Sequence, residues 1–443
     1  MVNANVKIIE ELKAYLNSIV EEPEIRKLFT CATSDFSRNR KLPMDKLIGI
    51  IINLPKRSLS VEIQSFFNSL NQSSSLCTKG AFCLQRIKLK PLFFKVWNCF
   101  LIENFYRFYG KKVKRWEGFR LLAVDGSNIN LMNKPEVVEY FGSADNQYGG
   151  VPMGRAMQIH DVLNDLTVWG DIFPRKYSEN AIIAQQVSFL PTDSLTLFDR
   201  GYPGYTLMYL MNNQESPRHF LMRCKTSFSN QIKTFVDSRK SSKIITIYPS
   251  REAIEQLREH GYIVTPKTEL KIRLVKVKLP DGETEILLTN LYDARIYSVS
   301  MLKALYFIRW KIETTFDKQK NQMQMEIFSG HKIICIQQDY AAGLFVSNLQ
   351  SLIEKQSDDY LTKISERRMY AYKVNRNISW SVLKNKILEI FITQQDSMRI
   401  LKELQKGFER NLEPVRFNRH NPRPPLKRKR GKYQTFTNYR RAI

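Results

Sequence analysis

The residues best placed to do chemistry in this chain are three acids, Asp125, Asp199 and Glu313. Asp125 closes the apolar run Arg120-Leu-Leu-Ala-Val-Asp125, and Asp199 closes Asp193-Ser-Leu-Thr-Leu-Phe-Asp199. Both runs read as buried strands, so each carboxylate sits at a strand end. Glu313 lies in the stretch Tyr306–Lys320, which has no Gly or Pro and follows Ser298 and Ser300. That pattern predicts a capped amphipathic helix. At about 100° per residue, Tyr306, Arg309, Glu313 and Lys320 fall within roughly 60° of one another. Three carboxylates packed together repel, and they hold their charge best when they share divalent cations. A donor set of oxygens without His or Cys suits Mg²⁺, with Mn²⁺ as a substitute. Two such ions activate an attacking oxygen and stabilise the leaving one in an in-line phosphoryl displacement. Arg309 and Lys320, on Glu313's face, are placed to hold flanking phosphates.

Plainer readings exist for each residue. Arg309 and Glu313 make an ordinary i,i+4 pair on a solvated helix face, and an aspartate at a strand end is commonly a turn or cap. Asp161, Asp165 and Asp171 are rival acids that read as hairpin and turn residues. Asp317 rivals Glu313, lying about 40° around the same helix.

Composition narrows the partners. Net charge is +26, from 69 basic and 43 acidic residues, an excess that points to a polyanion and in practice to nucleic acid. No basic amphipathic anchor stands out, and no run approaches a membrane span, since Leu47–Leu54 is apolar but short. Residues Met1–Leu16 are charged and helical, so no secretory signal is visible. Cysteines 31, 77, 83, 99, 224 and 335 form no Cys-x-x-Cys pair, and the five His are not at metal-ligand spacing. Reduced thiols in a cytoplasmic protein fit better than a zinc site or disulfides.

The elements that must position these acids follow from periodicity. Residues 1–117 read as an all-helical domain, with helices over Val6–Leu16, Met44–Leu54, Ser60–Leu70 and Leu92–Phe108, and a DNA-binding module and a plain helical bundle fit it about equally. The pattern changes at Arg120. After the first strand, Arg155–Leu163 and Thr167–Phe173 flank an Asn164-Asp165 turn as a hairpin. A helix over Glu179–Phe189, the Asp199 strand, a helix over Tyr205–Asn212 and a strand over His219–Lys225 complete an α/β mixed sheet. In such sheets ligands bind at strand ends. Residues 226–297 read as a β-rich insertion, with strands Lys243–Pro249, Leu270–Leu279 and Glu283–Leu291, the last two joined at Pro280-Asp281-Gly282. A helix over Ala341–Lys355 and one or two within Ser379–Leu401 follow, giving a catalytic domain over 118–355 and a C-terminal helical region over 356–413. The tail 414–443 has ten Lys/Arg, four Pro and no acid. It is expected to be disordered alone and to cling to phosphates.

Tyr306-x2-Arg309-x3-Glu313-x6-Lys320, joined in order to Asp125-Gly-Ser and Asp199-Arg-Gly-Tyr202, resembles the YREK-signature group of bacterial insertion-sequence DDE transposases, the IS-four family. The separation of 114 residues between Asp199 and Glu313 is similar to members whose ribonuclease-H-like core carries a β-rich insertion. The resemblance runs from about 120 to 350 and loosely into the N-terminal helices. It implies Asp125, Asp199 and Glu313 as metal-binding catalytic acids, with Tyr306, Arg309 and Lys320 contacting DNA near the scissile phosphate. It also implies Mg²⁺-dependent nicking of the element's inverted-repeat ends, often a hairpin on the flank, then 3′-hydroxyl attack on target DNA. A homodimer pairing two DNA ends in a bacterial, nucleoid-associated setting is part of the same expectation. Some relatives stack a flipped base on a Trp of the insertion. Here Trp falls at 97, 116, 169, 310 and 380, none within 226–297, leaving Phe228, Tyr248 or Tyr262 as substitutes. Two other readings use the same residues: a nuclease of this fold that cuts without joining, and a domesticated DNA-binding protein with a dead site.

Overall fold

The structure, a computed structural model, describes residues 1–38, 40–72, 77–146, 149–279, 282–393 and 395–416. Six helices come first: α1 (Val2–Glu21), α2 (Pro23–Phe29), α3 (Met44–Ile52), α4 (Leu59–Ser69), α5 (Lys79–Arg86) and α6 (Leu92–Tyr109). Their apolar stripes are buried together, with Ile8, Leu12, Phe93, Trp97 and Leu101 fully covered. That burial holds the helices in place, as expected for amphipathic segments that would be marginal alone.

A mixed sheet follows. Its strands are β1 (Arg120–Asn130), β2 (Ser143–Asn146), β3 (Gly149–Asp161), β4 (Leu166–Pro174), β5 (Ser194–Phe198) and β6 (His219–Cys224). β1 pairs antiparallel with β3, β3 with β4, while β5 and β6 run parallel to β1. The order β4-β3-β1-β5-β6 is an antiparallel three-strand meander with two parallel strands added beside the first, which is the ribonuclease-H-like arrangement. Helix α7 (Pro135–Phe141) bridges β1 and β2, α8 (Glu179–Ala184) follows β4, and α9 (Tyr205–Asn212) follows β5.

Two expectations need correction. β1 does not end at Asp125: its ladder with β3 continues to Asn130, and only its parallel pairing with β5 stops, at Ala123. Asp125 therefore lies where one neighbour has ended and the other continues. Second, the Glu179 helix is shorter than its apolar pattern suggests, giving way after Ala184 to a 3₁₀ turn at Val187–Phe189.

The segment 226–297 holds β7 (Ser242–Ile247), β8 (Leu270–Lys278) and β9 (Thr284–Thr289), and also α10 (Asn230–Asp237) and α11 (Arg251–Glu259). β9 pairs antiparallel with β6, so these strands extend the same sheet and do not form a separate module. The turn residues 280–281 lie outside the described residues.

The chain then enters α12 (Val299–Phe307), a 3₁₀ turn (Ile308–Trp310), α13 (Lys311–Asp317) and a π segment (Lys318–Gln322). The predicted Tyr306–Lys320 helix is thus continuous in path but changes pitch twice. Helix α14 (Ile333–Glu354) crosses the core, and α15 (Asp358–Arg367), α16 (Arg376–Phe391) and α17 (Ser397–Glu409) follow, with a two-stranded sheet of β10 (Ala371–Val374) and β11 (Leu412–Val415). Pro414 and Val415 belong to β11, so the expected tail begins later; residues 417–443 lie outside the described residues. One core spans α1, α6, α14, α16, α17 and one face of the sheet, and a second covers the other face beneath α8 and α9. No helix among the described residues is long and apolar enough to cross a membrane.

Candidate active site

Strand alternation aims the aspartates. Along β1, Leu121 and Ala123 enter the core shared with α14, while Leu122 and Val124 enter the opposite one, so Asp125 points toward the α14 side. Along β5, Leu197 faces that side and Phe198 the other, which sends Asp199 the same way. Leu305, Tyr306, Ile312 and Phe316 pack into this core and bring Arg309 and Glu313 over the two aspartates. Ser298 caps α12 by accepting from the Met301 N–H at 3.2 Å, fixing where this segment starts.

Arg309 is the centre of the arrangement. Only 3% exposed, it places Nη2 at 2.9 Å from Glu313 Oε1 and 3.9 Å from Asp199 Oδ1. Its guanidinium also lies 5.8 Å from the Tyr306 ring and 5.4 Å from the Trp310 ring. Burial disfavours its charge, yet Tyr306, Asp199, Glu313 and Asp125 together hold its pKa above the ordinary arginine value. Nε is buried and without a partner among the described residues. Tyr306 is also buried, 5% exposed, and its Oη donates to Asp199 Oδ1 at 3.4 Å; burial pushes its hydroxyl pKa up.

Asp125 accepts from the Gly126 N–H at 2.9 Å. Burial pushes its carboxyl up to about 7, repulsion from Glu179 and Glu313 adds to this, and the Gly126 N–H and Arg309 pull the other way. The shift is chiefly the cost of burying this carboxylate, with the neighbouring acids a smaller contribution. Lys320 turns away from the others: through the π segment its Nζ reaches Ser127 Oγ at 2.7 Å and the Asn128 carbonyl at 2.6 Å. Burial lowers its pKa, with Glu326 opposing. The change of pitch therefore breaks the single stripe expected of an ideal helix and ties Lys320 to β1 just past Asp125.

The rival acids have other work. Asp161 accepts from the Leu163 and Asn164 N–H groups at 3.1 and 3.0 Å, closing the hairpin turn in which Asp165 takes a positive φ of 52°. Asp165 pairs with Arg376, and Asp171 with Lys95. Asp317 is exposed and accepts from Asn321 at 2.6 Å.

The structure brings together a carboxylate absent from the sequence-based candidates. Glu179 opens α8 and accepts from the buried Tyr202 Oη at 2.8 Å. A Cβ at Gly126 would sit 2.7 Å from the Glu179 carboxyl. In sequence Glu179 is simply an acid behind the capping Ser178, the ordinary start of a helix.

The residues fit a hard cation in chemistry, all oxygen and no His or Cys. In this conformation, however, no group of three or more acidic, His or Cys side chains among the described residues stands close enough to hold one. Arg309 supplies the positive charge between Asp199 and Glu313.

A family described as the transposase DDE domain matches residues 116–349, the span that carries β1 to α14. The chain belongs to the DDE transposase family. Among its relatives in Escherichia coli (strain K12), InsZ, a transposase by name, is 25% identical over 213 residues, covering 45% of this chain and 67% of that protein. Transposase InsG for insertion sequence element IS4 is 25% identical over 214 residues, covering 47% of this chain and 46% of that protein. This chain thus spans less than half of InsG's length. A solved synaptic complex of piggyBac transposase with hairpin DNA covers 91% of this chain and 82% of its own at 12% identity and a TM-score of 0.40. A likeness that loose leaves the fold assignment to the sheet topology. Family membership makes DNA the partner and divalent metal the usual cofactor of such enzymes.

Proposed function

We propose that this protein is a cut-and-paste DNA transposase that binds the ends of its insertion sequence, cleaves them by Mg²⁺-dependent hydrolysis and joins the 3′-hydroxyl ends to target DNA. The observation that carries this is the buried Arg309 held between Asp199 and Glu313 beside a carboxyl lifted to about 7. Three elements distant in sequence carry the acids whose charges act on Arg309, a cation in the same helical segment as the third acid. Asp125, Asp199 and Glu313 would hold the metal, which when bound activates the attacking oxygen and stabilises the leaving one. Arg309, with an unpartnered Nε, is poised to exchange a carboxylate for a phosphate oxygen when DNA arrives. Tyr306 props Asp199, and Lys320 is released to phosphate only if its bonds to Ser127 and Asn128 are given up. The helices before β1 and the basic sequence after Val415 supply further positive charge for DNA in this reading, and two copies pair the two DNA ends in the bacterial cytoplasm.

A hairpin step needs a ring on which an extracted base can stack. Phe228 and Tyr248, 46% and 52% exposed, border an apolar cavity of about 420 Å³ in the insertion. Tyr262 instead packs edge-on against Tyr209 at 5.6 Å, so Phe228 and Tyr248 are the stronger substitutes.

The test pairs donor DNA carrying the inverted repeats that flank the gene with a target plasmid and Mg²⁺. Joined products are expected, and Asp125→Asn, Asp199→Asn and Glu313→Gln should each abolish cleavage while DNA binding survives. Cleaved ends that never join would establish the nuclease reading, and binding without cleavage by the unaltered protein would establish the inactive one.

A further inference from the structure

The Gly and Tyr of the two aspartate motifs do nothing in the scheme above, yet both converge on one side chain. Glu179 reaches β1 from the α8 layer, the face opposite Asp125. Its carboxyl crosses the backbone where Gly126 lacks a side chain: a Cβ there would meet Glu179 Cδ and Oε1 at 2.7 Å and Met157 Sδ at 2.8 Å. From the other side Tyr202, 2% exposed, donates its hydroxyl to Glu179 Oε2 at 2.8 Å. The neighbouring Asn180 Nδ2 donates to the Gly201 carbonyl at 3.2 Å, and the Tyr202 N–H donates to the Asp199 carbonyl at 3.1 Å. The first turn of α8 therefore holds the Asp199–Tyr202 turn with two side chains and rests one of them on the residue after Asp125. Arg155 Nε, 3.9 Å from Glu179 Oε1, offsets its charge at a distance.

We propose that Glu179 is a positioning residue that sets the separation of Asp125 and Asp199 by bridging Gly126 and Tyr202. β5 ends at Phe198 and its pairing with β1 ends at Ala123–Leu197, so no ladder bond fixes Asp199 relative to Asp125. Glu179 supplies the missing tie. It also accounts for glycine at 126 and a hydroxyl-bearing ring at 202: the first admits the carboxylate and the second anchors it. This proposal rests on Asp125 and Asp199 being the metal-binding acids.

The discriminating variants are Glu179→Gln, which keeps an oxygen for Tyr202 to donate to, and Glu179→Ala, Tyr202→Phe and Gly126→Ala, which break the bridge at its three points. Two readouts on the full chain are compared: Mn²⁺ affinity without DNA, from the free-ion electron paramagnetic resonance signal, and the Mn²⁺ concentration giving half-maximal cleavage of element ends. The three bridge-breaking variants should each weaken both by about 10–100-fold, the usual cost of losing a group that orients metal ligands. DNA affinity should not change, and Glu179→Gln should stay within about threefold of the unaltered protein. Gly126→Ala combined with Glu179→Ala should be no worse than Gly126→Ala alone, because the bridge is already lost and the Met157 contact is common to both. Unchanged metal dependence in Glu179→Ala would overturn the proposal. So would damage in Glu179→Gln equal to that in Glu179→Ala with Tyr202→Phe silent, since the charge and not the bridge would then matter. If the Ala variants fail to fold, the contrast of Glu179→Gln with Tyr202→Phe decides. Asp125→Asn is run alongside: normal Mn²⁺ binding by that variant would refute the assignment of the acids themselves, a different failure from a silent Glu179→Ala.

Discussion

Replacing Arg309 by Met should tighten divalent-cation binding in the absence of DNA while abolishing cleavage. The guanidinium is 3% exposed, with Nη2 at 2.9 Å from Glu313 and 3.9 Å from Asp199, so in this conformation it fills the electrostatic role a metal would take. Unit charges about 4 Å apart at an effective dielectric near 20 interact by roughly 4 kcal/mol. The Glu313 and Asp199 side chains are 41% and 36% exposed, so water screens much of this, leaving about 1–2 kcal/mol of net repulsion between arginine and an incoming cation. Removing it should lower the Mn²⁺ dissociation constant by roughly tenfold, since about 1.4 kcal/mol is a factor of ten. Stability without metal should fall by about 1–3 kcal/mol, because carboxylates gathered around a cation would face one another without it. The assay titrates Mn²⁺ into full-length Arg309→Met and the unaltered protein, following free ion by electron paramagnetic resonance, with denaturation midpoints taken with and without metal. Weaker or unchanged Mn²⁺ binding in a folded Arg309→Met protein would refute the idea that arginine and metal compete for the same charge.

The two acids on one helix should separate cleanly. Glu313→Gln is expected to lose about 100-fold or more in end cleavage, as removal of a charge worth several kcal/mol to a metal site implies, whereas Asp317→Asn, exposed and bonded to Asn321, should cleave normally; normal cleavage by Glu313→Gln in gel assays would make Asp317 the better third acid. Deleting residues 417–443, which hold all but Arg416 of the ten basic residues after Pro414, should weaken binding to any DNA sequence and flatten the slope of log affinity against log salt by up to about 0.9 per lost phosphate contact; an unchanged slope in fluorescence titrations would show that the segment does not touch the backbone. Asp165 stabilises the hairpin from behind. Burial opposes its charge, but Arg376, His160 and Lys318 hold its carboxyl well below the usual range. Its contribution is thus present above the unfolded value near 3.9 and is lost as pH falls through the folded value, and Asp165→Asn should cost about 1–3 kcal/mol in denaturant melts at neutral pH and progressively less toward pH 3.

The elements that carry the candidate acids were legible because each signal was local. Three apolar residues among the five before Asp199 and four in a row before Asp125 favour strands from local pattern alone, and Ser298 caps its helix from the adjacent backbone. The β meander and the Asn164-Asp165 turn were equally readable, because hairpin partners are near neighbours in the chain. Glu179 was not, since a glutamate behind a capping serine looks the same whether it faces solvent or a glycine fifty-three residues earlier on β1. Nor was the fate of Lys320, because the pitch of a helix is changed by what packs against it, here β1 through Ser127 and Asn128.

By itself the sequence determined the α/β class, the strands that carry Asp125 and Asp199, the helical segment that bears Glu313 and the basic character that calls for a polyanion. Those properties depend on side-chain type and on periodicities of two and about 3.6 residues. Only the tertiary structure decided that β9 extends the main sheet beside β6, that Arg309 is buried among the acids and that Glu179 joins Gly126 to Tyr202. Each of those rests on contacts between residues far apart in the chain, where packing and the cost of burying charge choose the partner and local pattern carries no record of the choice.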